Sequence, residues 1–96
     1  MPKRTRDYQD DLIEARKDPV EAEAYLNAHI DEGSELFLLA LRDVARARGM
    51  TGVAKKAGLG RESMYKALSK TGNPRLETLQ SVLQALGLRL AVASKT

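Results

Sequence analysis

The stretch AKKAGLGRESMYKAL, Ala54 to Leu68, sets two short apolar-patterned segments on either side of a Gly-Leu-Gly corner. Two helices that cross tightly need a small residue where they touch and a residue that tolerates positive φ in the turn. Ala54 supplies the first, and Gly58, one helical turn later, supplies the second. Val53, Ala57, Leu59, Met64, Ala67 and Leu68 then face a core. Arg61, Glu62, Ser63, Tyr65, Lys66 and Ser69 are left on the open face of the second helix. That face holds bidentate donors, an acceptor, hydroxyls and an aromatic ring, the chemistry of base edges and phosphates in a DNA groove. An ordinary αα-corner with a solvated charged face has the same Ala-x-x-x-Gly spacing. The flanking sequence has to decide between the two.

Helical periodicity dominates on both sides. The corner itself is predicted as helices over Thr51 to Ala57, with Thr51 as cap, and Arg61 to Ser69. Upstream, Glu35 to Arg48 reads as the central core helix, with a stripe of Phe37, Leu38, Leu41, Val44 and Ala45. Ser34 is placed to cap it and Gly49 to stop it. Before that, Asp18 as cap, Pro19 at the first position and Glu21 at the third start a helix to about Glu32. Its apolar face would hold Ala22, Tyr25, Leu26 and Ile30. A weaker helix is predicted over Tyr8 to Arg16, around Leu12 and Ile13. Downstream, TGNP (Thr71 to Pro74) breaks the chain, with Asn73 as cap candidate and Pro74 at the first position. The last helix, Arg75 to Leu86, would turn Leu76, Leu79, Val82, Leu83 and Leu86 inward.

The period changes at LRLAVA, Leu88 to Ala93, where alternation is strand-like. No second strand is evident, and a lone strand leaves its backbone groups unpaired. The same strand from a second copy satisfies them, giving a two-fold homodimer through Leu88, Leu90 and Val92. The alternative is a frayed, extended tail. The expected organisation is a mobile N-terminal segment over residues 1–17 that includes the weak helix, a helix-turn-helix domain over 18–87 with its motif at 51–69, and a dimerisation strand and tail over 88–96.

Ninety-six residues, 43% hydrophobic and 30% charged, make one small globular domain. The net charge of +3 hides an asymmetry. From Asp7 to Glu35 ten acids face only Arg16 and Lys17, a net −8, whereas from Arg42 to Arg75 nine bases face Asp43 and Glu62, a net +7. The basic segment, which contains the corner, suits a polyanion. The acidic one suits a basic partner or is a solvated face. There is no cysteine, so no disulfide or thiolate metal site is available, which fits a reducing cytoplasm. The first residues lack the apolar run of a signal peptide, and LFLLAL (Leu36 to Leu41) is too short to span a bilayer. A membrane-surface role is disfavoured because the core needs the apolar faces. Enzyme chemistry is also disfavoured. His29 is the only histidine, Glu21 and Glu23 diverge around a helix, Ser63 has no base nearby, and GLG is a turn rather than a phosphate cradle. No metal and no cofactor are expected.

VAKKAGLGRESMYKAL resembles the helix-turn-helix of the phage-repressor-like (Xre-type) family, whose domains are bundles of four or five helices. DPVEAEAYLNAHIDEG, LFLLALRDVARARGM, GLGRESMYKALS and NPRLETLQSVLQALGLRL together resemble bacterial addiction-module antidote proteins of the HigA-like type, over about Asp18 to Val92. The resemblance implies an all-α, five-helix bundle of the phage-repressor kind, to which the periodicity of the residues adds an extra N-terminal helix and one C-terminal strand pairing across a homodimer. It implies a type II antitoxin that represses transcription of its own operon, reading a palindrome in double-stranded DNA, and neutralises a small basic RNA-cleaving toxin of the RelE/HigB type. A stand-alone phage-type repressor without a toxin partner is the alternative. Carried over by position, the second motif helix enters the major groove by its N-terminal end, with Arg61, Glu62 and Lys66 as base readers. Ser63 and Tyr65 would touch phosphate or sugar, and Thr51, Lys70, Asn73 and Arg75 would grip the backbone. Lys55 and Lys56 are expected to be solvated or to act at long range. At one position the chain departs from the pattern: Met50 stands where many phage repressors carry an amide that clamps a phosphate.

Overall fold

A computed structural model describes residues 18–95. Among these the chain forms five helices and no strand: α1 Pro19–Ile30, α2 Ser34–Arg48, α3 Met50–Ala57, α4 Arg61–Ala67 and α5 Leu76–Ala85. The helix expected over Tyr8 to Arg16 lies outside the described residues. Helix α3 is the hub, packing against α2, α4 and α5, while α1 packs on α2. The centre is therefore the first helix of the corner, rather than the longer α2.

The start of α1 follows its sequence signal. Asp18 is extended and its Oδ1 accepts from the Val20 N–H at 2.8 Å, with Pro19 in the first helical turn. Ala22 and Leu26 are buried and Tyr25 packs against the core, but Ile30 is 49% exposed. Ile30 ends the helix, where no further element covers it. Helix α2 buries Leu38, Ala40, Leu41, Val44 and Ala45, with Phe37 packed at the margin. Burying a leucine such as Leu41, with no exposed surface left, contributes roughly 1.5–3 kcal/mol. Ser34 does not cap this helix. It is already helical, and Gly33 holds the cap position without a side-chain hydrogen bond.

A single residue, Gly49, separates α2 from α3. Its N–H donates to the carbonyls of Ala45 and Arg46 at 3.0 and 3.2 Å, and its own carbonyl accepts from the Val53 N–H at 3.0 Å. One residue thus closes one helix and opens the next, so α3 begins at Met50 and Thr51 lies inside it rather than capping it. At the other end of α3, Gly58 takes the left-handed conformation, φ 73°. The Gly58 N–H reaches Lys55 O at 3.2 Å and the Leu59 N–H reaches Ala54 O at 2.9 Å. This pair of bonds satisfies the last carbonyls of α3 and turns the chain towards α4. Ala54, Val53, Met64 and Leu68 are buried at the crossing, and Ala57 and Leu59 pack against them.

Between α4 and α5 the chain runs as an irregular loop that presses on the end of α4. A Cβ on Gly72 would collide with the Ala67 carbonyl oxygen and lie 2.8 Å from that of Lys66. Helix α5 starts at Leu76 with Arg75 at the cap position, so neither Asn73 nor Pro74 begins it. Leu76 opens the first turn ahead of the buried stretch and is 63% exposed, while Val82, Leu83 and Leu86 are buried and Leu79 packs beside them. Arg48 Nη2 donates to the Leu86 carbonyl at 3.1 Å, tying the end of α5 to the end of α2. The Leu88 N–H returns to Leu83 O at 2.8 Å, and Leu88 packs on the core. Beyond it, residues 89–95 have no regular structure, with Leu90 36% exposed and Val92 fully so. The strand expected over Leu88 to Ala93 is therefore absent from the single chain. A ladder needs a second strand, and no other segment of the described chain offers one.

Candidate nucleic-acid interface

Most of the residues singled out around the corner are exposed. Arg61, Glu62 and Ser63 form the first turn of α4 and are exposed, with Lys66 exposed one turn on. Thr51 is exposed in the first turn of α3, and Lys70, Asn73 and Arg75 are exposed along the loop after α4. Ser63, Lys66 and Asn73 line one shallow groove of about 390 Å³ with Leu59, Pro74 and Thr78. The structure thus brings base-reading and backbone-gripping candidates together, and Gly72 holds the loop close enough for this. Ser69 is not free for a partner, because its Oγ donates to the Lys66 carbonyl at 2.8 Å and helps to close α4. Met50, at the position of the missing amide, is 6% exposed and belongs to the core. A phosphate contact there would have to come from the backbone.

Charge on this surface is largely uncompensated. Lys55, Lys56, Arg61, Lys66 and Lys70 have no ion pair among the described residues, and Arg75 meets only Glu77, at 3.9 Å with both side chains open to water. An exposed pair of that kind contributes about 0–1 kcal/mol, so it does not lock Arg75 away from a partner.

Tyr65 departs from its expected place. It is half-buried rather than free on the open face. The Arg42 guanidinium of α2 lies 5.3 Å from the ring centroid and that of Arg61, one turn earlier on α4, lies 5.7 Å from it. A side-chain hydrogen bond from Arg61 holds the phenol pKa below its usual 10.0, and the positive charges of Arg61, Arg46 and Arg42 pull the same way against the opposing effect of desolvation. Arg42 and Arg46 were legible only as part of a basic stretch. Nothing local in the sequence pairs them with a tyrosine on another helix.

The acidic side lies on other elements. Glu21, Glu23, Asp31, Glu32 and Glu35 are all exposed on or next to α1. The Tyr25 hydroxyl donates to Asp43 Oδ2 at 3.0 Å, fastening α1 to α2. His29 is occupied locally: its Nδ1 lies 2.8 Å from the Tyr25 carbonyl and its Nε2 3.8 Å from Glu32 Oε1. A second groove, of about 600 Å³, runs between α1, the start of α2 and the chain leaving α5, and Leu26, Phe37 and Leu88 line it. It shares no lining residue with the groove beside α4. No helix among the described residues is long and apolar enough to cross a membrane.

Over residues 8–94 the chain matches the family described as "Probable addiction module antidote protein". It is 43% identical over 93 residues to an uncharacterized protein of Haemophilus influenzae (strain Rd), an alignment that covers 96% of this chain and 94% of that one. No solved structure matches it.

Proposed function

This chain belongs to the family of probable addiction module antidote proteins, and on that premise we propose that it is a DNA-binding antitoxin, which represses its own operon and neutralises a small basic toxin of the RelE/HigB kind. The observation that carries the DNA half is the α3–α4 corner. Gly58 turns the chain so that Arg61, Glu62 and Lys66 stand exposed on the basic side, with Lys70, Asn73 and Arg75 beside them. Helix α4 enters the major groove of a palindromic operator by its N-terminal end. Arg61 suits guanine O6 and N7, Glu62 accepts from cytosine N4, and Lys66 reaches a neighbouring base. Ser63, Tyr65, Thr51 and the loop residues hold phosphate or sugar and set the register. A homodimer places two such helices about 34 Å apart on successive major grooves. The residues after Leu88 are proposed to pair across it, with Leu90 and Val92 covered in the dimer. The acidic residues of α1 face the toxin, whose own charge is basic. The protein acts by binding, in the cytoplasm, with no cofactor and no catalytic step of its own.

Two measurements test the two halves separately. The chain is titrated against duplex DNA from immediately upstream of its own reading frame, across a salt series. Tight binding that weakens as salt rises supports the first half, and absent or salt-independent binding removes it. The adjacent small reading frame is then expressed with and without this protein. Toxicity relieved by co-expression supports the second half. If no adjacent frame is toxic, a stand-alone repressor is the reading that survives.

A further inference from the structure

Helix α2 has no assigned part in binding, yet one of its arginines, Arg42, lies over the Tyr65 ring of α4. Two guanidiniums flank the ring, and a third positive charge lies on the next turn of α2. Arg42 and Arg61 lie 5.3 and 5.7 Å from the ring centroid, and Arg46, one turn beyond Arg42 on the same face of α2, is near enough for its charge to act on the phenol. No carboxylate is ion-paired to any of the three among the described residues, and the adjacent Asp43 is taken up by Tyr25. The Nε of Arg42 is buried without a hydrogen-bond partner. Like charges gathered at one spot repel, and a buried donor left without a partner is costly. Stacking on the ring returns only part of this. The remainder calls for an anion. The Tyr65 hydroxyl has a proton of its own to donate.

We propose that Arg42, Arg46 and the Tyr65 hydroxyl form a seat for a single backbone phosphate of the bound duplex, with Tyr65 as the platform that holds Arg42 in place and keeps Arg61 at the groove edge. The seat rests on the DNA-binding reading above and extends it. It adds α2 to the contact surface, and it gives Tyr65 a positioning role towards Arg61 besides its own phosphate contact. The phosphate neutralises a cluster that the chain itself leaves uncompensated.

A methylphosphonate scan of the upstream duplex tests it, neutralising one phosphate at a time. One position is expected to cost wild type about tenfold in affinity, or roughly 1.4 kcal/mol. In Arg42→Gln that same position costs nothing further, and the slope of log K against log salt is shallower by about 0.9 for the lost contact. Arg46→Gln changes an exposed residue and carries the same comparison if Arg42→Gln fails to fold. Tyr65→Phe keeps the platform and loses the phosphate donor, whereas Tyr65→Leu also relaxes the base preference set by Arg61. Every phosphate costing wild type and both arginine variants alike would overturn the seat while leaving DNA binding intact. No binding by wild type at low salt would remove the DNA reading and the seat with it.

Discussion

Arg61 carries two relationships at once: it stands in the exposed first turn of α4, and its guanidinium lies over the Tyr65 ring. The first is what supports its proposed role as a base reader. Arg61→Ala is expected to weaken operator binding by about 1–3 kcal/mol and to relax discrimination at one base pair, read by competition among single-base operator variants. Lys70→Ala should weaken all sequences alike and flatten the salt dependence, as loss of a phosphate contact does. The second relationship is visible without DNA. The guanidinium favours the ionised phenol, so Tyr65 should titrate below the ordinary tyrosine range in a phenolate absorbance titration, and Arg61→Ala should move it back up. The lowered folded pKa also fixes the sign of its effect on stability. The contribution is fully present above the unfolded value near 10, falls away as pH drops through the folded value, and is nil at neutral pH. A Tyr65 titration that ignores Arg61→Ala would sink the hydrogen bond.

The elements differ in how far the sequence announces them. Asp18-Pro19 and Ala54-x-x-x-Gly58 are local devices, in which a side chain or a permissive backbone acts within one turn, and both are realised as read. The caps that failed, Ser34, Thr51 and Asn73, fail for a common reason. In each case a helix boundary shifts by one or two residues, because Gly33, Gly49 and Arg75 take the cap position instead. Leu76 looks inward by spacing alone, but the first turn of α5 precedes the buried stretch. The Arg42–Tyr65 contact was not legible, because it joins residues of α2 and α4 that meet only once α3 has packed between them. The same logic makes Gly72 a residue of element scale. Gly72→Ala has no φ to strain, but its Cβ meets the carbonyls at the end of α4. We expect the loop to be pushed off α4, lowering affinity through Lys70, Asn73 and Arg75 together, with a stability loss of about 1–3 kcal/mol by urea unfolding. Unchanged stability and affinity in Gly72→Ala would contradict the close approach.

At the scale of the whole molecule the chain is divided by charge, with acids about α1 and bases from α2 to the loop after α4. Its C-terminal segment, residues 89–95, forms no strand among the described residues. Leu88 is fixed to Leu83 and the core, so a test of self-association must leave it in place. Leu90→Lys with Val92→Lys should turn a dimer into a folded monomer by light scattering at micromolar concentration. A dimer that survives both changes would place the interface elsewhere. The single residue between α2 and α3 has a mechanical corollary. Only Gly49 stands between α2 and α3, and the Arg48–Leu86 hydrogen bond fastens the end of α2 to the end of α5, so the joint between α2 and α3 is short. Helix α1 packs on α2, and α4 on α3. A partner proposed to dock on α1 is thus joined to α4 through two packed helices and one single-residue turn. Thermodynamic reciprocity sets the terms of that connection: the factor by which the partner alters affinity for DNA is the factor by which DNA alters affinity for the partner.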